Sequence, residues 1–367
     1  MLNPVDKIST RKMSGSDIKV FVVDDSALAR KVMSDIINKT SGMRVIGTAE
    51  NGKQALERIV LTQPDIVCTD FHMPVMDGEK FIEQLMKIFP LPVLAVSIAV
   101  QKNDTENIFN LLKAGALDVV AKPRINAFQS AQTIQLIADE LTSKIRILSG
   151  VYVFRRRTNV SEPGDVVPVS RVVTFLDEGV AAPKIVVIGA STGGPQVLKE
   201  LFARLKWPCP FSIVCVQHIS EGFQEGLLSW LGAEIHHLIE VAVEGQAPCA
   251  GHIYFAAENH HLEFDAGGCF HYNDDAPREG ARPASDVLFI SAAQRFGKNV
   301  LAILLSGMGR DGAVGLKRIA DAGGITVAQN EESCIVFGMP RAAIELGAAR
   351  FTLGPEDIAA LLNKNFH

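Results

Sequence analysis

Short apolar runs alternate with longer stretches of helical period along most of this 367-residue chain. In the first half the runs fall at 19–23, 44–49, 66–69, 93–96 and 118–121. They are nearly unbroken Val, Ile, Leu, Ala and Phe, as expected of parallel strands buried on both faces. Between them, apolar residues recur every three or four positions at 27–38, 52–61, 78–88 and near 105–113. A longer helix is predicted from about 127 to 148, with Ile134, Ile137, Leu141, Ile145 and Leu148 at helical spacing. Five β/α units predict a doubly wound, five-stranded parallel sheet of flavodoxin-like type.

From 149 to 183 the periodicity fails. Arg155-Arg156-Arg157, Pro163-Gly164, Pro168, Gly179 and Pro183 punctuate the stretch, although 169–176 could form a short strand. It reads as an interdomain linker. Buried strands then return at 184–188, 211–216, 300–305 and 325–328, with helices at 196–205, from about 223, at 284–296, after Gly312, and at 341–346 and 355–363. Runs at 252–257, 261–265 and 269–273, around Glu258-Asn259 and Gly267-Gly268, predict an antiparallel β-meander. The expected organisation is a domain at 19–148, a linker at 149–183 and a second α/β domain at 184–364 with a mainly parallel sheet.

Composition narrows the class. The chain is 47% hydrophobic and 21% charged with a net charge of −5, which describes a globular protein without an overall basic footprint for nucleic acid. Residues 1–19 lack an apolar signal-peptide centre and read as a disordered leader. No apolar run approaches the roughly 20 residues of a membrane span. Six cysteines form no C-x-x-C pair, and most lie in or beside apolar runs, so reduced, mostly buried thiols in a cytoplasmic protein are expected.

Polar residues stand at the carboxyl ends of the first domain's strands: Asp24 and Asp25, Asp70, Ser97 and Lys122. A parallel sheet brings these ends to one edge. Each aspartate alone would suit a helix N-cap. Together, three carboxylates repel unless a cation joins them, and hard oxygen ligands suit Mg²⁺. A lysine and a hydroxyl alongside suit a transferred phosphoryl group. With CTDFHMPVMDG around Asp70 and AKP at Lys122, residues 19–148 resemble a response-regulator receiver domain. The resemblance implies phosphorylation of Asp70 by a histidine kinase. It makes Asp24, Asp25, Asp70 and the backbone carbonyl of His72 the Mg²⁺ ligands, Ser97 the switch hydroxyl and Lys122 the phosphate-contacting lysine. Two positions depart from the family pattern: Val119 replaces a usual aromatic residue, and Ile98 replaces a usual small one.

The second domain opens on Lys184-Ile185-Val186-Val187-Ile188 followed by Gly189-Ala190-Ser191-Thr192-Gly193-Gly194-Pro195. This strand–turn–helix fits G-x-S-x-G, in which small neighbours let a sharp turn expose a serine hydroxyl. A phosphate-cradling loop would use a similar turn. His218 and Asp311 likewise lie just past buried strands, so all three should share one edge. A serine needs a base to take its proton, and an imidazole needs a carboxylate to fix its tautomer. Alone, His218 would be a hydrogen-bonded strand-end residue and Asp311 an N-cap. Glycines around Met308 free backbone N–H groups of the kind an oxyanion hole requires. The pairs His236-His237 and His260-His261 raise metal catalysis, but no H-E-x-x-H occurs and adjacent strand residues face opposite ways.

The motifs IGASTGGP, VQHISEGF, GHIYFAAENHHLEF, RPASDVLF, LLSGMGRDGAVGLKRIADAGG and VFGMPRAAIELGA span nearly all of 184–348. This half closely resembles the catalytic domain of chemotaxis protein-glutamate methylesterases. The resemblance implies Ser191 as nucleophile, His218 as general base, Asp311 as its orienting acid and Met308 in the oxyanion loop, with no cofactor at the esterase site. It further implies glutamyl γ-methyl esters on the cytoplasmic helices of methyl-accepting chemotaxis receptors as substrates, without membrane insertion. Some members also deamidate glutamine. The unphosphorylated receiver is expected to inhibit by covering the site. A nicotinamide-dependent reductase is disfavoured because G-x-G-x-x-G and Y-x-x-x-K are absent. A non-catalytic, receiver-controlled receptor-binding regulator is the alternative, against which the intact triad argues.

Overall fold

The computed structural model describes residues 17–97, 109–123, 131–151, 153, 183–235 and 237–364. The expectations for the leader up to residue 16, Ile98, the start of the helix near 105, the start of the 127–148 helix, the Arg155–157 cluster, most of the linker and His236 lie outside these residues. The chain divides into two compact units, each with its own sheet.

The first sheet contains β1 (Ile18–Val23), β2 (Met43–Ala49), β3 (Ile66–Thr69), β4 (Val93–Ser97) and β5 (Asp118–Ala121) in the order β2-β1-β3-β4-β5, all parallel. Five of the six β1 residues and all of β3 and β4 are buried, within runs that leave no exposed polar face. Three helices, Ala27–Lys39, Gly52–Thr62 and Gly78–Ile88, are capped by Ser26, Asn51 and Asp77, whose side chains accept from Ala29, Gln54 and Lys80 N–H. Asp24 and Asp70 are therefore not the caps of the helices that follow them. Strand order reverses between β1 and β3, and ligands of such sheets bind at the carboxyl ends beside that switch point.

The second sheet is wholly parallel, in the order β14-β13-β12-β6-β7-β9-β8. Its strands are β6 (Ile185–Ala190), β7 (Ser212–Gln217), β8 (Leu238–Val241), β9 (His252–Phe255), β12 (Val300–Leu304), β13 (Ile325–Gln329) and β14 (Phe351–Leu353). The expected meander is a two-stranded ribbon of β10 (His261–Phe264) and β11 (Phe270–Asn273). The run at 252–257, grouped with it by sequence, instead supplies β9 between β7 and β8. A core of Val187, Val214, Tyr254, Leu288, Phe289, Leu304 and Leu316 binds the sheet to its covering helices. Fully burying each such side chain stabilises the fold by roughly 1.5–3 kcal/mol. The switch point of this sheet lies between β6 and β12.

Candidate functional sites

At the first switch point Lys122 Nζ stands 2.6 Å from Asp24 Oδ2 and 2.6 Å from Asp70 Oδ2. All three residues are buried, as is Ser97 at the end of β4, whereas Asp25 is exposed. Asp70 Oδ1 accepts from Phe71 N–H, and Asp24 Oδ1 from Ser26 N–H. One ammonium thus serves two buried carboxylates. Burial alone would lower the Lys122 pKa, but Asp70 and Asp24 outweigh it and hold it above its ordinary value. Burial pushes the Asp70 carboxyl up, only partly opposed by Lys122. Ligand oxygens of Asp24, Asp25 and Asp70 lie within 4.8 Å of one another. The surplus negative charge and the all-oxygen donor set fit a hard divalent cation. Among the described residues this is the only such three-ligand group.

At the second switch point Ser191 follows β6, His218 follows β7 and Asp311 follows β12, the three adjacent central strands. His218 N–H donates to Ala190 O at 2.9 Å, placing His218 beside the turn that carries Ser191. His218 Nε2 is 2.9 Å from Asp311 Oδ2. Asp311 is 2% exposed, yet Ser285 N–H reaches its Oδ2 at 2.6 Å and Asp286 N–H its Oδ1 at 3.0 Å. Burial would raise the Asp311 carboxyl; the His218 contact and the two backbone donors outweigh it and hold it below its ordinary value. An ionised Asp311 retains the proton on Nε2, leaving Nδ1 with the lone pair.

Several residues to which the sequence alone assigned no role hold this arrangement. Gln217 Nε2 donates to the carbonyls of Ser191 and His218. Gly194 admits it: a Cβ there would collide with Gln217 Oε1. Ser306 O accepts from Ser191 N–H, Ser306 Oγ donates to Thr192 O, and Val336 N–H donates to Ser306 Oγ. Gly307 N–H bonds Val336 O and its carbonyl accepts from Met339 N–H, fixing the turn that carries half-exposed Met308. Among the described residues, no acceptor takes the N–H of Thr192 or Met308. Sequence reasoning missed Ser285 and Asp286 because they act here through backbone donors, which any residue supplies. Gln217 was visible only as the last residue before His218.

A doubly wound sheet with an acidic pocket and lysine, joined to a parallel α/β domain with Ser, His and Asp at adjacent strand ends, defines a response regulator carrying a hydrolase-type domain. Residues 20–132 match the response regulator receiver domain family, and residues 186–362 match the CheB methylesterase family. A protein-glutamate methylesterase/protein-glutamine glutaminase of Syntrophus aciditrophicus is 36% identical over 352 residues, 95% of this chain and 98% of the relative. One from Pseudomonas aeruginosa is 38% identical over 348 residues, covering 94% and 96%. The crystal structure of the Thermotoga maritima CheB methylesterase catalytic domain is 34% identical and covers 50% of this chain and 99% of its own, with a TM-score of 0.48. The chain belongs to the protein-glutamate methylesterase/protein-glutamine glutaminase family, and it is an enzyme of the hydrolase class.

Proposed function

We propose that this chain hydrolyses glutamyl γ-methyl esters on chemoreceptor helices, in the cytoplasm, under control of its receiver. The observation that carries the reading is the His218–Asp311 contact at 2.9 Å beside the Ser191 turn. Ser191 Oγ attacks the ester carbonyl carbon while His218 Nδ1 takes its proton, and Asp311 balances the imidazolium. Among the described residues the N–H groups of Met308 and Thr192 meet no competing acceptor, and they suit the developing oxyanion. The tetrahedral intermediate expels methoxide, which takes the proton from His218 and leaves as methanol. His218 then removes a proton from water, which adds to the acyl-serine. Collapse of that intermediate returns the proton to Ser191 Oγ and releases the glutamate carboxylate. The same steps on a glutaminyl amide release ammonia.

Asp70 is the proposed phosphoryl acceptor from a histidine kinase. Asp24, Asp25, Asp70 and the His72 carbonyl would hold Mg²⁺, which supplies charge neutralisation for the incoming phosphoryl group. Lys122 contacts the phosphoryl oxygens, and Ser97 reports the modification. The unphosphorylated receiver restrains the esterase. The proposed boundaries are 19–148, 149–183 and 184–364. Methanol release from methylated receptor membranes, with and without a phosphodonor, tests the reading. Release that rises with phosphorylation, with the rise lost in a chain carrying Asp70→Asn, supports it; release indifferent to both contradicts receiver control. Receptor binding with no release would favour the non-catalytic regulator.

A further inference from the structure

The helices Ser285–Phe296 and Ala313–Asp321 both begin without a cap of their own. Ala284 and Gly312 occupy the N-cap positions and supply no side-chain hydrogen bond. The first N–H groups of a helix need partners when buried. Here the caps are exchanged between the two helices. Asp311, just ahead of the second helix, accepts from Ser285 and Asp286 N–H at the start of the first. Asp286, in the first turn of the first helix, accepts at Oδ1 from Gly315 N–H of the second, at 2.6 Å. Only a glycine permits this approach: a Cβ at 315 would stand 2.5 Å from Phe289 Cβ and 3.0 Å from Asp286 O.

Asp286 is 1% exposed, so its carboxylate is held by what surrounds it. The charged groups facing it are Asp311 from the loop after β12 and Arg278 from the segment after β11. Arg278 Nε lies 3.6 Å from Asp286 Oδ2. Gly312 and Gly315 present backbone N–H groups.

Resting on the Ser191–His218–Asp311 reading, we propose that Asp286 is a positioning residue for the esterase reaction. It touches neither substrate nor His218. It clamps the start of the second helix, and with it the 306–312 loop, while its own backbone N–H orients Asp311. That loop carries both Met308 and Asp311, so one buried carboxylate sets the oxyanion turn and the orienting acid together. A displacement of this loop should slow the chemical step and leave substrate binding intact.

The test uses the full phosphorylated chain carrying Asp286→Ala or Asp286→Asn, with methanol release as the readout. Asp286→Ala removes the acceptor for Gly315 N–H; kcat should fall about thirtyfold or more while KM stays within about twofold. Asp286→Asn keeps an oxygen acceptor and should return kcat to within about fivefold of wild type. It also removes a negative charge that favours the imidazolium, so the acid limb of its kcat/KM profile should move to lower pH. A folded Asp286→Ala chain with kcat within about threefold of wild type, or an Asp286→Asn chain no better than it, overturns the proposal. If Asp286→Ala does not fold, the acid limb of Asp286→Asn decides: a downward shift supports the assignment and an unmoved limb overturns it. Wild-type chain that releases no methanol would instead sink the esterase reading on which it rests.

Discussion

Gln217 Nε2 donates to the Ser191 carbonyl across 2.9 Å, and the same amide donates to the His218 carbonyl at 2.8 Å. One buried side chain therefore ties the Ser191 turn, the proposed nucleophile's, to the segment that carries His218, the proposed base. Gln217→Leu leaves two carbonyls without that donor, at a cost of about 1–3 kcal/mol each if they stay buried. We expect kcat to fall roughly ten- to a hundredfold with little change in KM, because the two segments lose their common tether. Steady-state methanol release checks this, and an unchanged kcat would make the amide a structural filler only.

The sheet edges were legible in the sequence because buried parallel strands are long apolar runs that stop at polar residues. Asp24, Asp70, Ser97, Lys122, Ser191, His218 and Asp311 all sit at or just past such stops. Two strands were missed for a related reason. Leu238–Val241 is a four-residue edge strand whose residues are all partly or well exposed, and Phe351–Leu353 has three residues, so neither presents an apolar run. The strand His252–Phe255 was apolar enough to be seen but not to be assigned, since a four-residue run looks alike in a ribbon and in a parallel sheet. The support beneath Asp311 was invisible because backbone N–H groups carry no residue signature.

Asp311 should make the fold sensitive to acid. Its folded pKa lies below the unfolded one. That stabilisation is complete above the unfolded value of about 3.9 and is lost as pH falls through the folded value. The urea midpoint of wild type should exceed that of Asp311→Asn at pH 5, and the gap should narrow as pH falls below about 4. A gap that stays constant down to pH 3 would separate Asp311 ionisation from stability.

The receiver pocket makes a metal prediction. Asp24 and Asp70 share one lysine, so a divalent cation bound there should stabilise the fold. At a hundredfold excess over Kd the gain is about 2.7 kcal/mol. Mg²⁺ should raise the receiver's melting transition, and Asp25→Asn should cut the shift by removing one carboxylate of the cluster. An equal shift in both proteins would place the metal elsewhere.

Val119 is fully buried in β5, and Lys144 Nζ donates to its carbonyl. A valine cannot make the inward swing of a larger aromatic side chain, so signalling is expected to rest on Ser97 and Lys122. Beside Ser97, the branched Ile98 is expected to crowd small phosphodonors and attacking water. Acetyl phosphate should load Asp70 slowly, and the phosphoryl group should persist. Ile98→Ala should raise both uptake and loss; identical rates in the two proteins would remove crowding as the cause.

The most direct test of the central claim compares methanol release from methylated receptor membranes by wild type and by Ser191→Ala, with melting curves on both. Ser191 is a partly exposed turn residue, so its hydroxyl should contribute little to the fold. The account predicts that Ser191→Ala abolishes release at an unchanged melting temperature. Sustained turnover by folded Ser191→Ala would contradict it.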